Sequence, residues 1–96
     1  MNNFCSLIDG EFKDSISVLD RGLSYGDGIF ETMVWCFIKE KKNFGVEFWN
    51  RHLRRIEKSC MITKIKMPPI ELLNTYKKRI LEKSFNQGLK EGVLKI

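Results

Sequence analysis

The segment Leu19–Met33, LDRGLSYGDGIFETM, constrains the fold more than any other stretch because its character changes abruptly along its length. Three glycines, two aspartates and an arginine fall within Leu19–Gly28, and an apolar run follows. Gly22, Gly26 and Gly28 permit positive φ or close backbone approach, so the first part reads as a tight, shaped turn and not as the interior of a helix or strand. Ile29–Ile38 is rich in β-branched and aromatic residues and reads as the strand that leaves this turn. Alternation would put Phe30, Thr32 and Val34 on one face of that strand and Glu31, Met33 and Trp35 on the other. Neither set is uniformly polar, so the strand is expected to be covered on both sides. A shaped loop held by a strand is a common place for a binding site, and a purely structural turn would show the same spacing.

The rest of the chain arranges itself around this segment. Asp9-Gly10 follows the apolar run Phe4–Ile8 and is the dipeptide that type I′ hairpin turns favour, with Glu11-Phe12 starting the return strand. Lys39–Asn43, KEKKN, reads as a solvated turn, after which Phe44–Phe48 can pair back as an antiparallel strand. Trp49, Leu53, Ile56 and Cys60 recur at helical spacing, which predicts an amphipathic helix over Trp49–Met61 with that stripe packed on the sheet. His52 and Arg55 lie three apart and share one flank of the stripe, while Arg51, Arg54 and Lys58 point outward. An arginine at the rim of a buried face can bury its stem and aim its fork at an anion; a solvated basic face is the plainer alternative. His52 taken alone reads as a half-buried packing residue or as a catalyst. Pro68-Pro69 sets up a second amphipathic helix, through Ile70, Leu73, Ile80, Leu81 and Phe85, that ends at Gly88. Val93–Ile96, VLKI, reads as the start of a further strand, and a chain that stops inside an apolar run looks cut. The fold class expected is α+β, a small antiparallel sheet with two amphipathic helices.

Size and charge narrow the function classes. A chain of 96 residues makes one domain, burying roughly 60–65% of the surface of its unfolded form. A formal charge of +5 favours anionic partners without naming one. A basic nucleic-acid-binding module would use Arg51, Arg54, Lys58, Lys64 and Lys66, but it lacks interleaved stacking aromatics and is the disfavoured reading. Three widely spaced cysteines and a single histidine give no metal-ligand spacing and point to a reduced, cytoplasmic protein without structural zinc. The N-terminal residues have neither a basic nor a long apolar region, and Met33–Ile38 is the longest wholly apolar run, so neither a signal peptide nor a membrane span is expected.

The order of these pieces resembles the N-terminal domain of the class IV, or fold-type four, pyridoxal-phosphate enzymes. The pieces are the Asp9-Gly10 hairpin, the DRG and GDGIFET blocks, HLRR at His52–Arg55, the proline pair and the closing VLKI. Within that family the pattern is most similar to the aminodeoxychorismate lyases, with branched-chain and D-amino-acid aminotransferases as the alternative. Tyrosine is usual in the D-amino-acid branch at the position of Phe30. The chain also departs from the family at Val34, where arginine is frequent, and at KEKKN, where a glycine turn is usual.

What the resemblance implies is specific. Residues 1–92 would form the small N-terminal domain, and 93–96 would open the first strand of a second one. Arg55 would bind the phosphate of the pyridoxal 5′-phosphate cofactor, with His52 beside it. Phe30 and Thr32 would line the substrate side of the cleft, and Asp20, Arg21, Gly26, Asp27 and Gly28 would shape the loop and a dimer contact. The intact protein would be a cytoplasmic homodimer converting 4-amino-4-deoxychorismate to 4-aminobenzoate and pyruvate. The Schiff-base lysine would lie in the second domain, since none of Lys77, Lys78, Lys83, Lys90 or Lys95 matches the family's lysine motif. The 96-residue chain alone is therefore expected to be inactive, and a non-catalytic remnant that pairs with an intact partner is the remaining alternative.

Overall fold

The computed structural model describes residues 4–96 and is a small α+β domain. A short hairpin, β1 (Leu7–Ile8) and β2 (Glu11–Phe12), opens the chain, followed by a one-turn helix α1 (Arg21–Tyr25). Next come β3 (Thr32–Ile38), a 3-10 turn (Lys39–Lys41), β4 (Asn43–Val46), the helices α2 (Trp49–Thr63) and α3 (Ile70–Asn86), and β5 (Glu91–Lys95). The main sheet is antiparallel throughout, in the order β4-β3-β5, and the hairpin forms a separate two-stranded sheet.

The hairpin turns as its dipeptide requires. Asp9 and Gly10 both have positive φ, 53° and 84°, the type I′ arrangement whose twist suits the flanking strands. It rests on α3, where Arg79 Nη1 donates to the Gly10 carbonyl at 3.1 Å and the Phe12 ring lies under the cations of Arg79 and Lys83.

Alternation along β3 is as expected, but its two faces have different fates. Met33 and Trp35 are buried and form the core with Leu94 of β5 and Leu81 of α3, the latter 1% exposed. Phe37 continues this face, its ring 4.4 Å from that of Phe85, with Phe44 set edge-on to both. Each such side chain withdrawn from water contributes about 1.5–3 kcal/mol, which a domain this small needs in order to hold together. The opposite face is not covered among the described residues: Phe30, Val34 and Val93 are 64%, 55% and 69% exposed. The expectation of cover on both sides is corrected here, because both long helices belong to one layer and the domain is only 18 Å thick.

Helix α2 buries Leu53, Ile56 and Cys60, with Trp49 packed against the core, so the predicted stripe is the buried face. It runs two residues past Met61 and ends at Lys64, whose left-handed conformation returns its N–H to the Cys60 carbonyl. Pro69 precedes α3, and Gly88 at φ 101° lies just past its end. β5 is longer than Val93–Ile96 and belongs to this same sheet, pairing with β3 from Thr32↔Lys95 to Cys36↔Glu91. No helix among the described residues is long and apolar enough to cross a membrane.

Candidate functional site

The glycine-rich segment contains a helix that its sequence hid. Asp20 caps α1 by accepting from the N–H groups of Gly22 and Leu23, and Gly26 closes it at φ 72°. Gly26 is thus the one glycine of this segment whose conformation demands glycine; Gly22 sits inside the helix, and Gly28 does not take positive φ. Arg21 Nε donates to Asp27 Oδ2, and Ser24 Oγ donates to the Val18 carbonyl at 2.9 Å. The paired DR and GD residues therefore bind to one another and hold the loop in shape.

Beyond the loop the chain enters the sheet at Glu31. Its backbone exchanges two hydrogen bonds with Ile96, at 2.8 and 3.0 Å, which extends the β3–β5 ladder by one pair and fixes the direction of the side chain. That side chain points to α2. There Glu31 Oε1 accepts from His52 Nδ1 at 2.8 Å and lies 3.3 Å from Arg55 Nε. One carboxylate oxygen thereby joins the two residues of the HLRR stretch, one turn apart on the helix. Glu31 and His52 keep only 13% and 15% of their side chains exposed, whereas Arg55 keeps 71%. The pair is withdrawn from water and the guanidinium stands in it.

This geometry decides what the cluster can do. With Nε turned to Glu31, the two terminal nitrogens of Arg55 have no partner among the described residues. They form a planar two-donor fork, the shape that takes a phosphate or carboxylate bidentately. The histidine offers its Nδ1 proton to the carboxylate, which leaves Nε2 as its second polar position. Sequence reasoning found His52 and Arg55 and missed Glu31, which it set beside Met33 and Trp35 on one face of a strand expected to be covered on both sides. An acidic residue among Met33 and Trp35 on a covered face was the available signal, since buried carboxylates are paired.

The structure does not bring Phe30 and Thr32 into this cluster. Alternation sets them on the opposite, exposed face of the sheet, where Lys95 Nζ lies 4.4 Å from the centre of the Phe30 ring. The outward cations of α2 are dispersed: Arg51 covers the Phe48 ring, Arg54 Nε donates to the Asn50 carbonyl at 3.4 Å, and Lys58 is exposed. Among the described residues no group of three or more His, Cys, Asp or Glu side chains gathers as a metal site. Comparison of the chain with protein-family models, with curated proteins and with solved structures finds no match.

Proposed function

We propose that this chain supplies the phosphate-anchoring wall of a class IV pyridoxal-phosphate enzyme, with Arg55 as the anchor, His52 beside it and Glu31 holding both. The observation that carries the reading is the single Glu31 carboxylate that engages the Nε of an otherwise exposed Arg55 and leaves its terminal fork open. The order of motifs around it points to the aminodeoxychorismate lyase branch, in which 4-amino-4-deoxychorismate yields 4-aminobenzoate and pyruvate. Transaminases of the same family are the alternative.

The residues present fit one part of the cofactor. An arginine fork suits the phosphate, while no lysine joins the Glu31–His52–Arg55 cluster to meet the aldehyde. When bound, the cofactor's ring serves as an electron sink for bond cleavage at the carbon bearing the substrate amine. In this reading the chain's own share is to bind and orient. Arg55 would neutralise the phosphate, and the rigid attachment of Glu31 to Ile96 would keep the fork from swinging, so that positioning is set before substrate arrives. Phe30 and Thr32, on the other face, would contribute to a substrate wall completed by residues outside this chain.

Titration of the protein with pyridoxal 5′-phosphate and with pyridoxal tests the reading. A charge-assisted fork to phosphate should favour the phosphorylated compound by about tenfold or more, and Arg55→Ala should remove that preference. Equal affinity for the two compounds in the unaltered protein would refute it.

A further inference from the structure

A cavity of about 370 Å³ lies between the segment Phe4–Leu7, helix α3 and strand β5, with Trp35 in its wall. None of Glu31, His52, Arg55, Phe30 or Thr32 borders it. Strand β5 is hydrogen-bonded on one side only, to β3, and Phe4–Leu7 runs past it without joining that sheet, so the cavity is entered between the two. The walls are mainly apolar: Trp35, Leu81 and Leu94 come from the buried core, and Ile80 and Leu89 pack against it. The space is more than twice the roughly 150 Å³ of an apolar protein cavity that takes up benzene.

One donor in these walls is unmet. The Trp35 side chain is 4% exposed, and its indole N–H has no acceptor among the described residues. A buried indole normally finds a partner for this group, and even the half-buried Trp49 has one in Asn74 Oδ1 at 2.9 Å. The Trp35 N–H is not sealed in the core, since Gln87 Oε1 is the only fully enclosed side-chain polar atom without a partner among the described residues. Gly92, also in the cavity wall, keeps it open: a Cβ there would lie 3.0 Å from Trp35 Nε1. The other polar side chains that reach the cavity are uncharged: Ser6, and Cys5 with Ser84, whose Sγ and Oγ lie 3.1 Å apart. Glu91 and Lys95 border it with their backbone, because alternation turns their side chains to the opposite face, Lys95 onto the Phe30 ring. Such a site asks of a ligand apolar bulk, no charge and one acceptor.

We propose that the cavity binds a small, uncharged, mainly apolar molecule with one hydrogen-bond acceptor, the chemistry of an aryl ketone, whose oxygen accepts from the Trp35 indole N–H. The site does not depend on the cofactor reading.

Titration of isotope-labelled protein with acetophenone, followed by NMR at the indole N–H signals of its two tryptophans, tests this. Trp35→Phe assigns the signals by removing one. The Trp35 signal is expected to move to saturation, while that of Trp49, already bonded to Asn74, stays in place. α-Methylstyrene, the same skeleton with a methylene in place of the oxygen, should bind about tenfold more weakly because it leaves the donor unmet. Gly92→Ala sets a methyl group against Nε1 and should abolish the response to acetophenone. Far-UV circular dichroism verifies that this variant keeps its fold, and the comparison of the two probes on the unaltered chain holds without it. A Trp35 signal that does not move saturably overturns the proposal, as do equal movement of both indoles and equal affinity for the two probes.

Discussion

From Lys13 to Phe30 every residue except Gly22 and Ile29 is exposed, with Val18 and Leu19 at 76% and 85%, whereas Trp35 a few residues later is at 4%. The first region keeps its shape through short-range polar contacts: the Asp20 cap, the Arg21–Asp27 pair and the Ser24–Val18 hydrogen bond. The second keeps its shape by burying Met33, Trp35, Leu81 and Leu94 against one another. Polar contacts in water are nearly balanced by hydration, while burial is not, so the motif-bearing loop can be altered with little loss of stability and the core cannot. Glu31 stands at the junction, its backbone in the ladder of the core and its carboxylate in a polar cluster.

The largest expected effect tests this contrast directly. Leu81→Ala removes the most buried side chain and should cost about 2–5 kcal/mol, a large part of the stability of a domain this size. Leu19→Ala, the same chemical change in the loop, should shift stability by no more than about 0.5 kcal/mol. Urea unfolding midpoints measure both, and similar losses would break the comparison.

Glu31→Gln comes next. It keeps the shape and an acceptor oxygen but removes the charge that binds His52 and Arg55, at an expected cost of about 1–2 kcal/mol. A double-mutant cycle with His52→Ala should give a coupling of about 0.5 kcal/mol or more if the 2.8 Å contact contributes to the fold. No measurable coupling would assign Glu31 to the loop's regime of weak polar contacts.

A smaller effect is expected at Asp20. Loss of an N-cap costs a helix about 0.5–2 kcal/mol, but α1 buries none of its residues, so Asp20→Ala should leave global unfolding almost unchanged. Hydrogen exchange at the Gly22 and Leu23 amides should quicken instead, since both lose their acceptor. A global loss as large as that of Leu81→Ala would show that the loop is coupled to the core.

These differences also explain what could be read from the sequence. The buried face of β3, the stripe of α2 and the limits of α3 were legible because each is written in a local period: alternate residues for the strand, i, i+4, i+7 for the helix, proline and glycine at the ends. Helix α1 was not, because two of its five residues are Gly22 and Ser24 and its stability rests on one aspartate cap. The bare face of the sheet was not legible either. Phe30, Val34 and Val93 carry the composition of a covered strand, and composition does not record where the helices go. At the site, the His52–Arg55 spacing was visible on the helix, whereas Glu31 joins them from 21 positions upstream of His52 through a pairing with Ile96.

The smallest effect concerns a charge at the margin of the well-packed region, on the half-buried Lys77. Lys77 extends from α3 so that Nζ lies 4.7 Å from the centre of the Trp49 ring, and desolvation by burial holds its pKa below the usual 10.5. Between the folded value and 10.5 the unfolded chain binds more protons at this site than the folded one. Stability contributed by this residue therefore rises as pH climbs through that window, and the cost of burying the ammonium is felt in full below it. Lys77→Gln should remove this rise, so the stability difference between the variant and the unaltered protein should shrink or change sign towards alkaline pH. Urea melts at matched pH values measure that difference and cancel the titration of the other lysines. A difference that is flat in pH would mean that the ammonium is as well solvated as one in the exposed loop, and that the dry region of the domain stops short of Trp49.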